Sequence, residues 1–153
     1  MSFQEKLAAM GLTLPAAPKP VAAYVPAVRT GNLIFISGQL PLANGQLLAT
    51  GPVPSKVTPE AAQAAARQCA LNLLAILGDQ IAGDFSRVVR VVRLGVFVQC
   101  DDGYGGQPAI ANGASELLVA LLGEAGKHAR AATGTNSLPL NATVEIDAVI
   151  EVR

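Results

Sequence analysis

Strands that read apolar on both faces constrain this chain more than any other feature. "LIFISGQLPL" and "FSRVVRVVRLGVFV" carry β-branched and apolar residues at consecutive positions, the signature of a strand covered on both sides. Only two segments read as long helices, and two helices cover one sheet face. The other face must be buried elsewhere. Composition points the same way: 51% of residues are hydrophobic and 14% charged, against about 25% charged in ordinary soluble domains. No apolar run approaches the ~20 residues of a membrane helix, so self-association as a closed symmetric oligomer is the expected cover.

The 153 residues fit one domain with a proper core. "MSFQEKLAAMG" predicts a short amphipathic helix with Phe3, Leu7 and Met10 on one side. "LTLPAAPKPVAAYVPAV" contains four prolines and must run extended or irregular. Arg29-Thr30-Gly31-Asn32 reads as a hairpin turn before a strand ending near Gly38, and Asn44-Gly45 as a second turn. The clearest helix is "TPEAAQAAARQCALNLLAILG". Thr58 caps it, Pro59 fits its first position, Gly78 fits its end, and Ala62, Ala66, Cys69, Leu73 and Ile76 form its stripe. A long strand follows over 85–98, then a helix over 106–126 despite Gly113. The last strands are expected at roughly 129–136 and 143–153.

Net charge is zero, from 11 basic and 11 acidic residues, so the footprint of a nucleic-acid binder is missing. The N-terminus lacks a basic segment followed by an apolar core, and no signal peptide is expected. Cys69 and Cys100 form no disulfide framework, which makes a reduced cytoplasmic setting the default expectation. The single histidine, His128, and these cysteines have no metal-ligand spacing, so no metal is expected. His128 reads as a satisfied surface or dipole-paired imidazole, Cys69 and Cys100 as packing residues. Ser37 lacks the surroundings of a hydrolase elbow, and Asp101-Asp102 reads as a solvated loop.

Arg130 and Glu145 remain. On spacing alone the favoured reading is a salt bridge tying neighbouring strands. The functional alternative has Arg130 clamp a small carboxylate through its planar fork while Glu145 holds or activates a water.

Four segments resemble the YjgF/RidA family, also called the Rid or L-PSP endoribonuclease family. They are "AYVPAVRTGNLIFISGQLP", "AARQCALNLLAIL" with "SRVVRVVRLGVFV", "QPAIANGASELL", and "HARAATGTNSLPLNATVEIDAVI". The resemblance divides the chain into an N-terminal extension, 1–19, and a family-like domain, 20–153. It implies an α+β chorismate-mutase-like fold: a mixed sheet with two helices packed on one face, assembled as a homotrimer with sites between subunits. The implied activity is hydrolysis of reactive 2-imino or 2-enamino acids to 2-oxo acids and ammonia, with no cofactor. Carried over residue by residue, Arg130 is the substrate-carboxylate arginine and Glu145, 15 positions later, the water-handling acid. Tyr24, Gly38 and Asn112 match substrate-binding positions. Ala132 stands where the family has a cysteine, which keeps an amide donor and loses a thiol. Val25 and Pro26 replace polar residues, marking a divergent branch. Two other readings stand: a non-catalytic trimer that binds small carboxylates, and, more distantly, an endoribonuclease. Zero net charge, no tryptophan and only four phenylalanines and two tyrosines speak against RNA.

Overall fold

A computed structural model describes residues 1–18 and 23–153. The expected boundary between extension and domain, at 19/20, lies outside the described residues.

Helix α1 spans Phe3–Ala9. Ser2 caps it by accepting from the Glu5 amide while the Glu5 carboxylate accepts from the Ser2 amide, a reciprocal box that holds so short a helix. Phe3 and Leu7 are buried as expected, but Met10 lies exposed past the helix end. The Phe3 ring stacks on Phe85 with centroids 3.6 Å apart, which docks α1 on the domain.

The main sheet has five strands: β1 Ala27–Thr30, β2 Leu33–Gln39, β5 Val88–Gln99, β6 Ala129–Thr135 and β7 Val144–Val152. Their order is β1-β2-β7-β5-β6, antiparallel throughout except for the parallel β5–β6 pair. A separate small hairpin, β3 Leu42–Ala43 and β4 Gln46–Leu47, closes over the expected Asn44-Gly45 turn, both residues holding positive φ. The Gly31-Asn32 turn joins β1 to β2 as the sequence predicts.

Helix α2 spans Pro59–Gln80, capped by Thr58 Oγ1 accepting from the Ala61 amide at 3.1 Å. It runs past Gly78, contrary to expectation. Gly78 is a packing residue: a Cβ there would stand 3.3 Å from Phe85 Cζ, so the missing side chain makes room for that ring. Helix α3 spans Gln107–Leu122 and continues as a 3-10 turn, Gly123–Gly126. Its Gly113 marks the crossing with α2, where a Cβ would meet the Gln63 backbone carbonyl. The strand expected from Phe85 begins at Val88, because Asp84 caps a 3-10 turn over Phe85–Arg87.

Both long helices cover one face of the sheet, and strict alternation along β7 places Val144, Ile146, Ala148 and Ile150 beneath them. Among the described residues nothing covers the opposite face. Val28, Phe35 and Phe97 are exposed there, Val28 to 54% and Phe35 to 45%. No described helix is long and apolar enough to cross a membrane.

Candidate functional site

Arg130 and Glu145 do not sit on neighbouring strands. Strand β5 lies between β6 and β7, so the expected adjacency is wrong. The β5–β6 link is a crossover through α3, which places β6 at the sheet edge, whereas the tight connection from β6 to β7 steps over β5. The two residues also belong to opposite faces. Arg130 is in register with Leu94, which is buried beneath the helices. Glu145 is in register with Phe97, which stands on the uncovered face.

On the helix side, Arg130 turns toward α3. Its Nη1 donates to Asn112 Oδ1 at 2.8 Å and to Ser115 Oγ at 3.1 Å, and its Nη2 donates to the Pro108 carbonyl at 3.3 Å. All three acceptors are neutral. The salt bridge favoured by spacing is absent: among the described residues no carboxylate pairs with Arg130. Of the five guanidinium hydrogens, Nε–H and one on Nη2 keep no partner among the described residues, enough for one two-point contact with a carboxylate. Asn112, matched by resemblance to a substrate-binding position, here orients the arginine. Ala132 lies two residues along the same strand face, packed against the core.

Ser115 was not singled out from the sequence, and His128 was read only as a satisfied or dipole-paired imidazole, with no link to Arg130. Ser115 Oγ lies 2.9 Å from His128 Nε2, and His128 Nδ1 lies 2.6 Å from the Gly126 carbonyl. Sequence spacing carries only part of the signal: Asn112 and Ser115 are three apart on α3 and share a face, whereas His128 lies just before β6, outside the strand that carries Arg130.

On the open side, Glu145 is partly buried against Gly38. A Cβ at Gly38 would stand 2.9 Å from Glu145 Cδ and Oε1, so the bare glycine leaves room for this carboxylate. The register between β2 and β7 shifts between Ile36 and Gln39, and this bulge brings Gly38 over Glu145. Burial raises the Glu145 pKa above the ordinary 4.5, and the nearby charge of Asp147 raises it further. Asp147 pairs with Arg93 at 3.5 Å across Gly95, whose bare backbone leaves room for the pair. Arg93, Asp147, Gly38, Phe35 and Val25 line a shallow groove of about 470 Å³. Tyr24 is 67% exposed beside it and makes no hydrogen bond among the described residues.

Cys69 is fully buried, its thiol pushed far up by burial and then by the Glu145 charge, consistent with a packing role. Cys100 is partly buried, its sulfur 3.6 Å from Gln107 Nε2. The described residues contain no cluster of metal-ligating side chains.

The chain therefore presents two separate features: a cation clamped by neutral groups at one sheet edge, and a carboxylate of raised pKa on the uncovered face. Residues 4–152 match the sequence profile of the YjgF/chorismate mutase-like endoribonuclease family. The chain belongs to this family. It is similar to the crystal structure of Atu1372 from Agrobacterium tumefaciens, a protein of unknown function, at 44% identity and TM-score 0.93, covering 99% of this chain and 92% of that one. It is 42% identical over 144 residues to protein TCP17 of Trypanosoma cruzi, covering 94% of this chain and 89% of that protein. It is 25% identical over 142 residues to a 2-iminobutanoate/2-iminopropanoate deaminase of Dermatophagoides farinae, covering 92% and 94%. The family thus includes imine deaminases alongside members named as endoribonucleases, and the fold expected from the sequence is the one observed: a single α+β domain with a mixed sheet.

Proposed function

We propose that this chain hydrolyses 2-imino acids, or their enamine tautomers, to 2-oxo acids and ammonia, at a site completed by two copies. The carrying observation is the Arg130 guanidinium, clamped by three neutral acceptors, with two donors left over and no carboxylate opposing it among the described residues. A built-in cation of this kind suits a small carboxylate.

Glu145 supplies the second element. It lies on the face opposite Arg130, so the two can meet only across a seam between protomers. The exposed Val28, Phe35 and Phe97 favour covering that face with further copies, and a homotrimeric ring is the arrangement the family resemblance implies. In the assembled site Arg130 of one copy holds the substrate carboxylate, and Glu145 of the neighbour faces the imine carbon through a water. The imine carbon is electrophilic without a metal or cofactor. The water oxygen bonds to the carbon of the protonated imine as the C=N electron pair moves to nitrogen, and Glu145 takes the proton the water loses. Glu145 then passes that proton to the carbinolamine nitrogen, the C–N bond breaks to release ammonia, and the hydroxyl proton returns to solvent to leave the 2-oxo acid. The raised pKa makes Glu145 a better proton acceptor than a solvated glutamate. Gly38 and the Ala132 backbone amide complete the cavity, with Tyr24 at its rim.

A second reading, carboxylate binding without turnover, is supported by Val25 and Pro26 in place of polar residues and by the exposed, unbonded Tyr24. Two assays separate the readings. Imine release by an amino-acid oxidase, followed as ammonia, reports hydrolysis, and calorimetry with 2-oxobutanoate reports binding. Arg130→Ala abolishes both under the enzymatic reading, without unfolding the chain. Hydrolysis that survives this substitution removes the proposal, and binding without any hydrolysis by the wild type leaves the second reading.

A further inference from the structure

Among the described residues, every group that bonds the Arg130 guanidinium directly lies on α3, but one of them, Ser115, is itself held from outside the helix. Arg130 Nη1 bonds to Ser115 Oγ, Ser115 Oγ bonds to His128 Nε2, and His128 Nδ1 bonds to the Gly126 carbonyl, at 3.1, 2.9 and 2.6 Å. The hydrogens in this chain have one consistent arrangement with a neutral imidazole. A carbonyl only accepts, so the proton sits on Nδ1. Nε2 is then bare and accepts from the serine hydroxyl. With its hydrogen committed to the ring, Ser115 Oγ turns lone pairs toward Arg130 Nη1.

The far end of this chain is fixed. Gly126 is buried, and its Cα is pressed so close to the Leu118 carbonyl that no Cβ would fit. The anchoring carbonyl therefore belongs to a segment docked against α3, the helix that also carries Asn112 and Ser115.

We infer that His128, acting through Ser115, is a positioning residue that fixes the plane of the Arg130 guanidinium so that Nε–H and the free Nη2 hydrogen face the incoming carboxylate together. This rests on the reading of Arg130 as the carboxylate-binding group. A guanidinium turns about its Cδ–Nε bond, and a two-point grip tolerates only about 10–20° of misalignment. Asn112 fixes one hydrogen of Nη1, and the Pro108 carbonyl, at the longer 3.3 Å, one of Nη2. The serine fixes the second Nη1 hydrogen, and the imidazole decides which way that serine points.

The test uses the full chain, 2-oxobutanoate as the calorimetric probe, imine hydrolysis for kcat and KM, and thermal melts. Glutamine and asparagine separate the two ends of the imidazole. Glutamine can place a carbonyl oxygen near the Nε2 position and accept from Ser115. Asparagine can reproduce only the Nδ1 donor to Gly126.

The expected result is that Ser115→Ala and His128→Asn each weaken binding and raise KM roughly three- to tenfold, with kcat within about twofold. His128→Gln stays within about twofold of wild type, and the Ser115→Ala/His128→Asn double variant is no weaker than either single one. Wild-type affinity in both Ser115→Ala and His128→Asn overturns the inference. So does equal damage in His128→Gln and His128→Asn that follows a shared loss of melting temperature, since that marks a structural role. Arg130→Ala separates this failure from the failure of the underlying reading. If it still binds 2-oxobutanoate, the carboxylate assignment falls and the positioning role with it. If it loses binding while the Ser115 and His128 variants keep it, only the positioning role falls.

Discussion

Replacing Gly38 by alanine moves the proposed catalytic carboxylate without altering any charge. The added Cβ would stand 2.9 Å from Glu145 Cδ and Oε1 and 3.0 Å from Cγ. Ordinary contact needs about 3.4–4 Å, so the carboxyl must shift by roughly 0.5–1 Å. The obstructing atoms are the far end of a flexible side chain on a partly open face, so the shift is cheap. Gly38 has no positive φ, so alanine fits the backbone and stiffens the unfolded chain, worth about 0.4–1 kcal/mol in favour of folding. Mild crowding offsets this, and the melting temperature should stay within about 3 °C of wild type. Catalysis has no such tolerance, since misplacing a reacting group by about 1 Å costs up to ~100-fold. Coupled-oxidase kinetics should show kcat lowered roughly 10- to 100-fold, with calorimetric affinity for 2-oxobutanoate within about twofold because Arg130 is untouched. Gly38→Ala turning over imine at the wild-type rate would refute the reasoning, because the carboxylate's position would then not matter.

Other substitutions probe different parts of the account. Glu145→Gln should melt above wild type near neutral pH by no more than about 3 °C, the carboxylate being partly solvated. The sign follows from its raised native pKa: ionising Glu145 opposes folding, so wild-type stability falls as pH rises from 4.5 through the native value. The gap should close below pH 4.5, as melts across pH would reveal. Asp147→Asn removes the neighbouring charge that helps raise Glu145, so the acid limb of the hydrolysis profile should move to lower pH. Gly113→Val drives a side chain into the Gln63 backbone, which cannot swing aside, and should cost about 2–3 kcal/mol, or ~5–10 °C by calorimetry.

The legible parts of the fold were those fixed by local chemistry. Thr58 and Pro59 start α2, Asn44-Gly45 turns the small hairpin, and the alternation of Val144–Ile150 marks a strand with one covered face. Residues whose role is set by a partner distant in sequence were misread. Gly78 resembles a helix stop until the Phe85 ring is placed over it, and Gly113 looks like a weakness until α2 crosses there. Strand order was also hidden. Nothing local in β6 or β7 announces that β5 runs between them, so Arg130 and Glu145 looked like neighbours. Arg130 and Glu145 were singled out from the residues, and Tyr24, Gly38, Asn112 and Ala132 from the resemblance, but their grouping was not legible. Asn112 serves the arginine, Gly38 makes room for the glutamate, and the Ser115–His128 chain and the Asp147–Arg93 pair emerge only with the sheet's two faces.

With Arg130 and Glu145 on opposite faces, the proposed hydrolysis requires two copies to cooperate. Activity recovered by mixing Arg130→Ala with Glu145→Gln, each inactive alone, tests it most directly. After subunit exchange verified by native mass spectrometry, an equimolar ring assembly should regain about a quarter of wild-type hydrolysis, the fraction of seams that pair an intact arginine with an intact glutamate. A fully exchanged mixture as inactive as its parents would contradict a site shared between protomers.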